Sequence, residues 1–243
     1  MAVSWEDQGI IIAVRPFGEY DAIATLLAEG QGRHAGIVKG GAGKTARSLL
    51  QPGNLAKAWW RARLDEQLGT FTLEPLRSFA AAAMESVAAL SGLASLCAMI
   101  EVTLPEREPH APVFRHTLYL LEHLGAPGWE TEYVLWELAL LRDMGYGLDL
   151  SVCAATGTTE DLIYVSPRTG RAVSRTAGLP YGPRLFSLPA FLRDKTAQAK
   201  GPDEIAQGLA LTEHFFDTHI FRPHRQQIPA ARQRFAARFT ATN

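Results

Sequence analysis

Along the first 80 residues, apolar positions come in short runs punctuated by glycine. Gly9–Pro16 (GIIIAVRP) is rich in β-branched residues and stops at a proline, as a strand does. Ala22–Ala28 is a second apolar run, Gly30-Gln31-Gly32 supplies turn chemistry, and Arg33–Lys39 (RHAGIVK) returns as a third strand. Asn54–Arg63 (NLAKAWWRAR) and Phe71–Arg77 (FTLEPLR) bring the expected total to about five. Five short strands joined by glycine-rich turns predict a small closed barrel, and the five-stranded type is the OB-fold.

After residue 80 the period changes. Val87, Leu90, Ala94, Cys97 and Ile100 recur at helical spacing and predict a helix with that stripe as its inner face. Pro105 and Pro109 interrupt it. Pro112 suits a first helical turn, with Phe114, Leu118 and Leu121 as the next stripe. Ala126-Pro127-Gly128 reads as a turn, and Trp129–Met144 as a helix with Tyr133, Trp136 and Leu140 in register, closed by Gly145. Residues 150–185 are irregular, with a β signal at Leu162–Val165 and turns at Ser166-Pro167 and Thr169-Gly170. Gly201-Pro202-Asp203 opens a further helix carrying Ile205, Leu209, Phe216 and Ile220, and an arginine-rich stretch, Phe221–Phe239, follows. The expected organisation is α+β: a barrel over 1–80, then a helical domain over 81–243 with an irregular insert at 150–185.

A chain of 243 residues that is 47% apolar can bury a real core. No run approaches the ~18 apolar residues of a membrane span. Glu6 and Asp7 stand where an export signal has its basic start. Two cysteines, Cys97 and Cys153, cannot make a disulfide framework and point to a reducing compartment. These features together predict a cytoplasmic protein with no membrane partner.

The net charge of −1 hides segregation along the chain. Residues 1–80 hold nine Lys/Arg and eight Asp/Glu, 81–150 hold three and ten, and 151–243 hold twelve and seven. The middle segment therefore predicts helices with acidic outer faces. Within the first segment, no acid lies between Glu29 and Asp65, a span carrying Arg33, Lys39, Lys44, Arg47, Lys57, Arg61 and Arg63. Such a stretch is either a solvated basic face or a surface for a polyanion.

Gly40-Gly41-Ala42-Gly43-Lys44-Thr45 resembles a nucleotide-binding loop, but Val38 occupies the position of the first required glycine. The better reading is a flexible basic loop in which Lys39, Lys44 and Arg47 meet phosphate and the glycines let backbone approach it. Trp59 and Trp60 are adjacent on a strand and face opposite sides. The alternation Lys57/Trp59/Arg61/Arg63 makes Trp60 the core residue and leaves Trp59 either to stack on a base or to pack on the helical domain. His214, His219 and His224 step by five, which gives no one-face metal site. No nucleophile–base pair or carboxylate pair stands out, so no catalytic residue, metal or cofactor is expected. Barrel chemistry alone leaves DNA and RNA open, and an RNA-binding or translation-associated OB-fold protein is the alternative reading.

Several stretches resemble the RecO family of bacterial recombination mediators. They are Ala22 through TLLAEGQGRHAGIVKGGAGK to Leu50-Gln51-Pro52, LLRDMGYGLDLSVCAATG (Leu140–Gly157), YVSPRTGRAVS (Tyr164–Ser174) and Arg222-Pro223-His224-Arg225. Their order and spacing match over nearly the whole length. The resemblance implies an N-terminal OB-fold and a helical domain that together bind single- and double-stranded DNA and anneal complementary strands. It also implies binding of RecR, contact with the acidic C-terminal tail of single-strand binding protein, and help in loading RecA. Many members carry a four-cysteine zinc site in the insert. Here Cys153 keeps the first position, with Thr156, Ser174 and Ala177 at the other three. Packing through Leu162, Tyr164 and Val173 is expected instead. A mediator must hold DNA and the acidic tail together, so the tail should dock away from the basic barrel. Arg115 and Arg142 are the candidate anchors, because both lie on predicted helices with apolar neighbours; neither has a carboxylate three or four positions away on its own helix, which leaves an ion pair with another helix as the competing role.

Overall fold

Five strands close into a barrel, as the punctuated apolar runs predict. The computed structural model describes residues 3–194 and 196–240, apart from the side chain of Thr45. The strands are β1 (Val3–Phe17), β2 (Asp21–Ala28), β3 (Gly32–Val38), β4 (Leu55–Ala62) and β5 (Thr70–Arg77), in the closed order β1-β2-β3-β5-β4. This is the OB-fold arrangement. β1 starts earlier than Gly9 because its first half, half-exposed and mostly polar, is held by pairing with β4 from Val3 to Ile10. Its second half pairs with β2 from Gly9 to Phe17, with an irregularity between Ile11 and Ala13 where the strand turns the barrel corner. One short parallel pairing, Ile37 with Thr70 and Val38 with Phe71, completes closure.

The barrel core is Ile11, Ala24, Leu26, Ala58, Trp60 and Phe71, and the alanines make room for the two large rings. Trp5 stacks on Trp60 with centroids 6.0 Å apart. His34 is buried beside them, 4.6 Å from Trp60 and 5.1 Å from Trp5, and neither of its ring nitrogens has a hydrogen-bond partner. Burial, reinforced by the Arg107 guanidinium, pushes its pKa down to about 4. A short helix, α1 (Lys44–Leu49), joins β3 to β4 where a loop is expected, and Leu50 at its end packs into the barrel. Buried Asn54 ties this end together by donating to the Ser48 and Leu49 carbonyls and accepting from the Ala80 amide.

Beyond the barrel lie α2 (Phe79–Ala83), α3 (Val87–Thr103) and α4 (Ala111–His123), which share one compact unit with it, residues 1–125. The expected inner stripe of α3 holds only toward its C-terminal end. Cys97 and Ile100 are buried as expected, whereas Val87, Leu90 and Ala94 are exposed and Ala89, Leu93 and Leu96 are buried in their place. The helix is apolar around most of its circumference, so periodicity cannot choose its inner face. Between α3 and α4 the chain runs back along the start of β3. There Gly32, at φ +67°, leaves room for the Glu108 carbonyl oxygen, which a Cβ would approach to 1.9 Å. Arg107 lies over the Trp60 ring, 5.7 Å from its centroid, and donates to the carbonyls of Asp65 and Gln67, fastening the β4–β5 turn.

Residues 126–243 form the second unit. It contains α5 (Trp129–Asp143), β6 (Leu162–Val165), β7 (Ala172–Ser174), α6 (Arg175–Gly178), β8 (Phe186–Ser187), α7 (Pro202–Phe216) and α8 (Ala230–Thr240). The insert carries a three-stranded sheet in the order β7-β6-β8, with Leu162 and Val173 buried and Tyr164 half-buried. Tyr133, Trp136 and Leu140 are buried as expected, and a π-helical turn, Asp217–Phe221, extends α7. Two charges depart from the acidic-surface pattern. Glu137 of α5 and Arg232 of α8 are both buried and paired. Among the described residues no helix is long and apolar enough to cross a membrane.

Candidate nucleic-acid interface

Strand register sorts the two tryptophans. Trp60 lies opposite Trp5 and faces the core, whereas Trp59 lies opposite Glu6 and faces out, flanked on its strand by Lys57 and Arg61. Trp59 is half-buried and Trp60 fully buried. These outward residues, Ser4, Glu6, Trp59, Arg61 and Thr72, line a groove of about 490 Å³ together with the edges of Trp5 and Trp60. Its aromatic wall and its cation are the elements that grip an unpaired nucleotide. Arg63 is exposed just past the end of β4.

Folding brings acids to a basic stretch that has none of its own. Lys39 Nζ pairs with Asp21 at 2.7 Å, Lys57 Nζ with Glu6 at 2.7 Å, and Arg33 with Glu106 at 3.2 Å. Arg33 goes furthest from a ligand role. Its Nε donates to the Leu104 carbonyl at 2.8 Å, its backbone carbonyl accepts from the Arg107 amide at 2.8 Å, and its side chain is only 17% exposed. It anchors the segment behind β3. Lys44, Arg47, Arg61 and Arg63 are exposed and carry no ion pair among the described residues. Lys44 and Arg47 lie one turn apart on α1.

The glycine loop offers charge without amides. Gly40 N–H donates to Asp21 at 2.9 Å, Gly41 to the Val38 carbonyl at 3.1 Å, Ala42 to the Tyr20 carbonyl at 3.0 Å and Gly43 to the Gly40 carbonyl at 3.0 Å. These amides are already committed to internal bonds, unlike those of a phosphate cradle. The Thr45 side chain of the same motif lies outside the described residues. The loop is bound to the β1–β2 turn, whose Phe17 and Tyr20 are exposed, Tyr20 by 69%. These aromatics add stacking surface that the sequence reading passed over. The available signal was an aromatic in a Gly-Glu-Tyr-Asp turn, where the apolar pattern needs none.

The two candidate anchors for an acidic tail fall in different compact units. Arg115 on α4 reaches Glu29 at 3.6 Å, an exposed contact from a strand end rather than from its own helix. Arg142, in the last turn of α5, is exposed and has no ion pair among the described residues. The four positions at which the resemblance would place zinc ligands, Cys153, Thr156, Ser174 and Ala177, do not fit that metal here, because one thiol, two hydroxyls and an alanine cannot close a tetrahedral site. Instead the Cys153 thiol donates to Ser174 Oγ at 3.5 Å, and the Ser174 amide donates to Cys153 Sγ at 3.3 Å. Burial would raise the thiol's pKa, but the ionised sulfur can accept from the Ser174 and Thr156 hydroxyls and from two backbone amides, which brings the pKa down to about 6. A larger hollow, about 690 Å³, lies along α7 and α8 but is lined by Glu213 and Asp217, which repel phosphate.

Comparison with known proteins covers almost the whole chain. The family model described as Recombination protein O N terminal matches residues 1–79, and the one described as Recombination protein O C terminal matches residues 84–228. A DNA repair protein RecO from Rhodospirillum centenum is 49% identical over 239 residues, covering 98% of this chain and 95% of that protein. One from Rhodospirillum rubrum is 45% identical over 242 residues, with 97% and 96% covered. One from a Jannaschia species is 47% identical over 233 residues, with 96% and 94% covered.

Proposed function

The chain belongs to the RecO family of DNA repair proteins, and we propose that it is a non-enzymatic mediator that holds DNA on its barrel and protein partners on its other helices. We assign DNA to residues 1–80 and partners to 81–243. The observation that carries the reading is the outward face of β4, where Trp59 and Arg61 border a groove of nucleotide size. Lys44, Arg47 and Arg63 add exposed charge on neighbouring elements, and Lys39 and Lys57 can exchange their carboxylates for phosphate. Contacts of this kind are sequence-independent and serve single strands and duplex alike.

Annealing follows from such a surface. Two strands held on one basic face repel each other less, and complementary segments meet at high local concentration. The resemblance adds RecR binding and RecA loading on strands coated with single-strand binding protein, whose acidic tail would dock on Arg142 more readily than on Arg115, already shared with Glu29. Such work belongs to the cytoplasm, where the bacterial chromosome lies.

The test is titration of labelled single-stranded DNA, duplex DNA and RNA of one length, with an annealing assay and a check for ATP hydrolysis. Tight DNA binding with annealing and no turnover supports the reading. RNA preference would transfer the barrel to the translation-associated alternative. ATP turnover lost in Lys44→Ala would overturn the non-enzymatic assignment.

A further inference from the structure

One carboxylate on the barrel face holds two of the groups assigned to DNA. Glu6 Oε1 pairs with Lys57 Nζ at 2.7 Å, and Glu6 Oε2 accepts from Trp59 Nε1 at 2.8 Å. The same lysine lies over the Trp59 ring, 4.9 Å from its centroid. The three side chains form a closed set on two paired strands, because Glu6 sits directly opposite Trp59 in the β1–β4 register. Glu6 also lines the groove.

From this arrangement we propose that Glu6 is a gate on the DNA-binding face: it competes with phosphate for Lys57 and, with its second oxygen, positions the Trp59 indole for stacking. The inference rests on the barrel-face reading above. A phosphate oxygen presents Lys57 with the same charge-assisted partner that Glu6 does. Capture of Lys57 by phosphate draws the ammonium off the ring it covers, so phosphate binding and ring exposure become one event. The bonds from Lys57 and Trp59 hold the Glu6 carboxyl below its usual range, which keeps it ionised at neutral pH. Glu74, paired opposite Lys57 on β5, is a second carboxylate near this lysine and limits how far it is released.

Substitution separates the two roles. Glu6→Gln removes the charge that holds Lys57, while its amide oxygen still accepts from Trp59. Glu6→Ala removes both contacts. Binding of an oligonucleotide and of an abasic oligomer of equal length is measured over a range of salt for the wild type, both variants and the double variant Glu6→Gln/Lys57→Gln. Glu6→Gln should bind both probes severalfold more tightly than wild type, with a salt slope steeper by about 0.7, the value of one added phosphate contact on a single strand. That gain should vanish in the double variant, whereas a general loss of negative charge would persist there. Glu6→Ala should keep the steeper slope but lose part of the preference for the base-bearing oligomer. An unchanged slope in Glu6→Gln, or a gain that survives loss of Lys57, overturns the gate. Trp59→Ala and Arg61→Ala serve as the parallel check. If neither weakens binding, the barrel-face reading fails. If both weaken it and Glu6→Gln does nothing, only the gate fails.

Discussion

Replacing Arg232 with methionine should unfold the second unit at markedly lower temperature. Arg232 is 1% exposed and Glu137 is fully buried. The guanidinium donates to both Glu137 oxygens at 2.8 and 3.0 Å, to Glu213 at 2.9 Å and to the Leu209 carbonyl at 2.7 Å, so it joins α8 to α5 and α7. Without it, Glu137 stays buried with the Thr212 hydroxyl as its remaining donor. Breaking one side of a buried pair costs about 3–5 kcal/mol. For a unit of this size each kcal/mol lowers Tm by about 4 °C, so a fall of about 12–20 °C is expected. Replacing both members, Arg232→Met with Glu137→Met, removes the stranded charge and should restore most of the loss. Arg234→Met and Arg238→Met, at exposed positions on the same helix, should stay within about 0.5 kcal/mol of wild type. Thermal and urea unfolding followed by circular dichroism provide the readout. A single variant within about 1 kcal/mol of wild type, or a double variant no better than the single, would refute the reasoning.

Two further outcomes follow from buried or exposed charge. His34 has its pKa lowered from 6.5 to about 4 in the folded chain, so the unfolded chain binds the extra proton. Its contribution is therefore complete above about pH 6.5 and is lost as the pH falls toward 4, by on the order of 3 kcal/mol in all. Urea midpoints for the wild type should drop through that window, while His34→Leu stays flatter; parallel curves would count against it. For the acidic tail, Arg142→Ala should weaken binding of a tail peptide about tenfold with DNA affinity intact, and Arg115→Ala should act less. Equal peptide affinity in both variants, or stoichiometric displacement of peptide by DNA, would remove the separate-site assignment.

Legibility in the sequence followed local chemistry. Four strands stand within a residue or two of expectation because glycine, proline and β-branched runs mark their ends. The first half of β1 was hidden because its pairing with β4 does not depend on an apolar run. The inner face of α3 was hidden by apolar residues on nearly every side. At the site, alternation around Trp59 and Trp60 gave the correct inward ring. The acid-free window misled about availability, since pairing brings Asp21 to Lys39 from 18 positions away and Glu106 to Arg33 from 73. The Arg232–Glu137 pair spans 95 positions, beyond any local pattern.

Salt-dependent binding of a labelled single strand tests the barrel face most directly. It is measured for the wild type, for Arg33→Ala, and for the triple variant Lys44→Ala/Arg47→Ala/Arg61→Ala. The exposed, unpaired cations should account for the contacts, so the triple variant should bind every sequence more weakly with a slope shallower by about 2. Arg33→Ala, which removes a tie behind β3, should leave the slope unchanged and lower stability instead. A triple variant with wild-type affinity and slope would contradict DNA binding by the barrel domain.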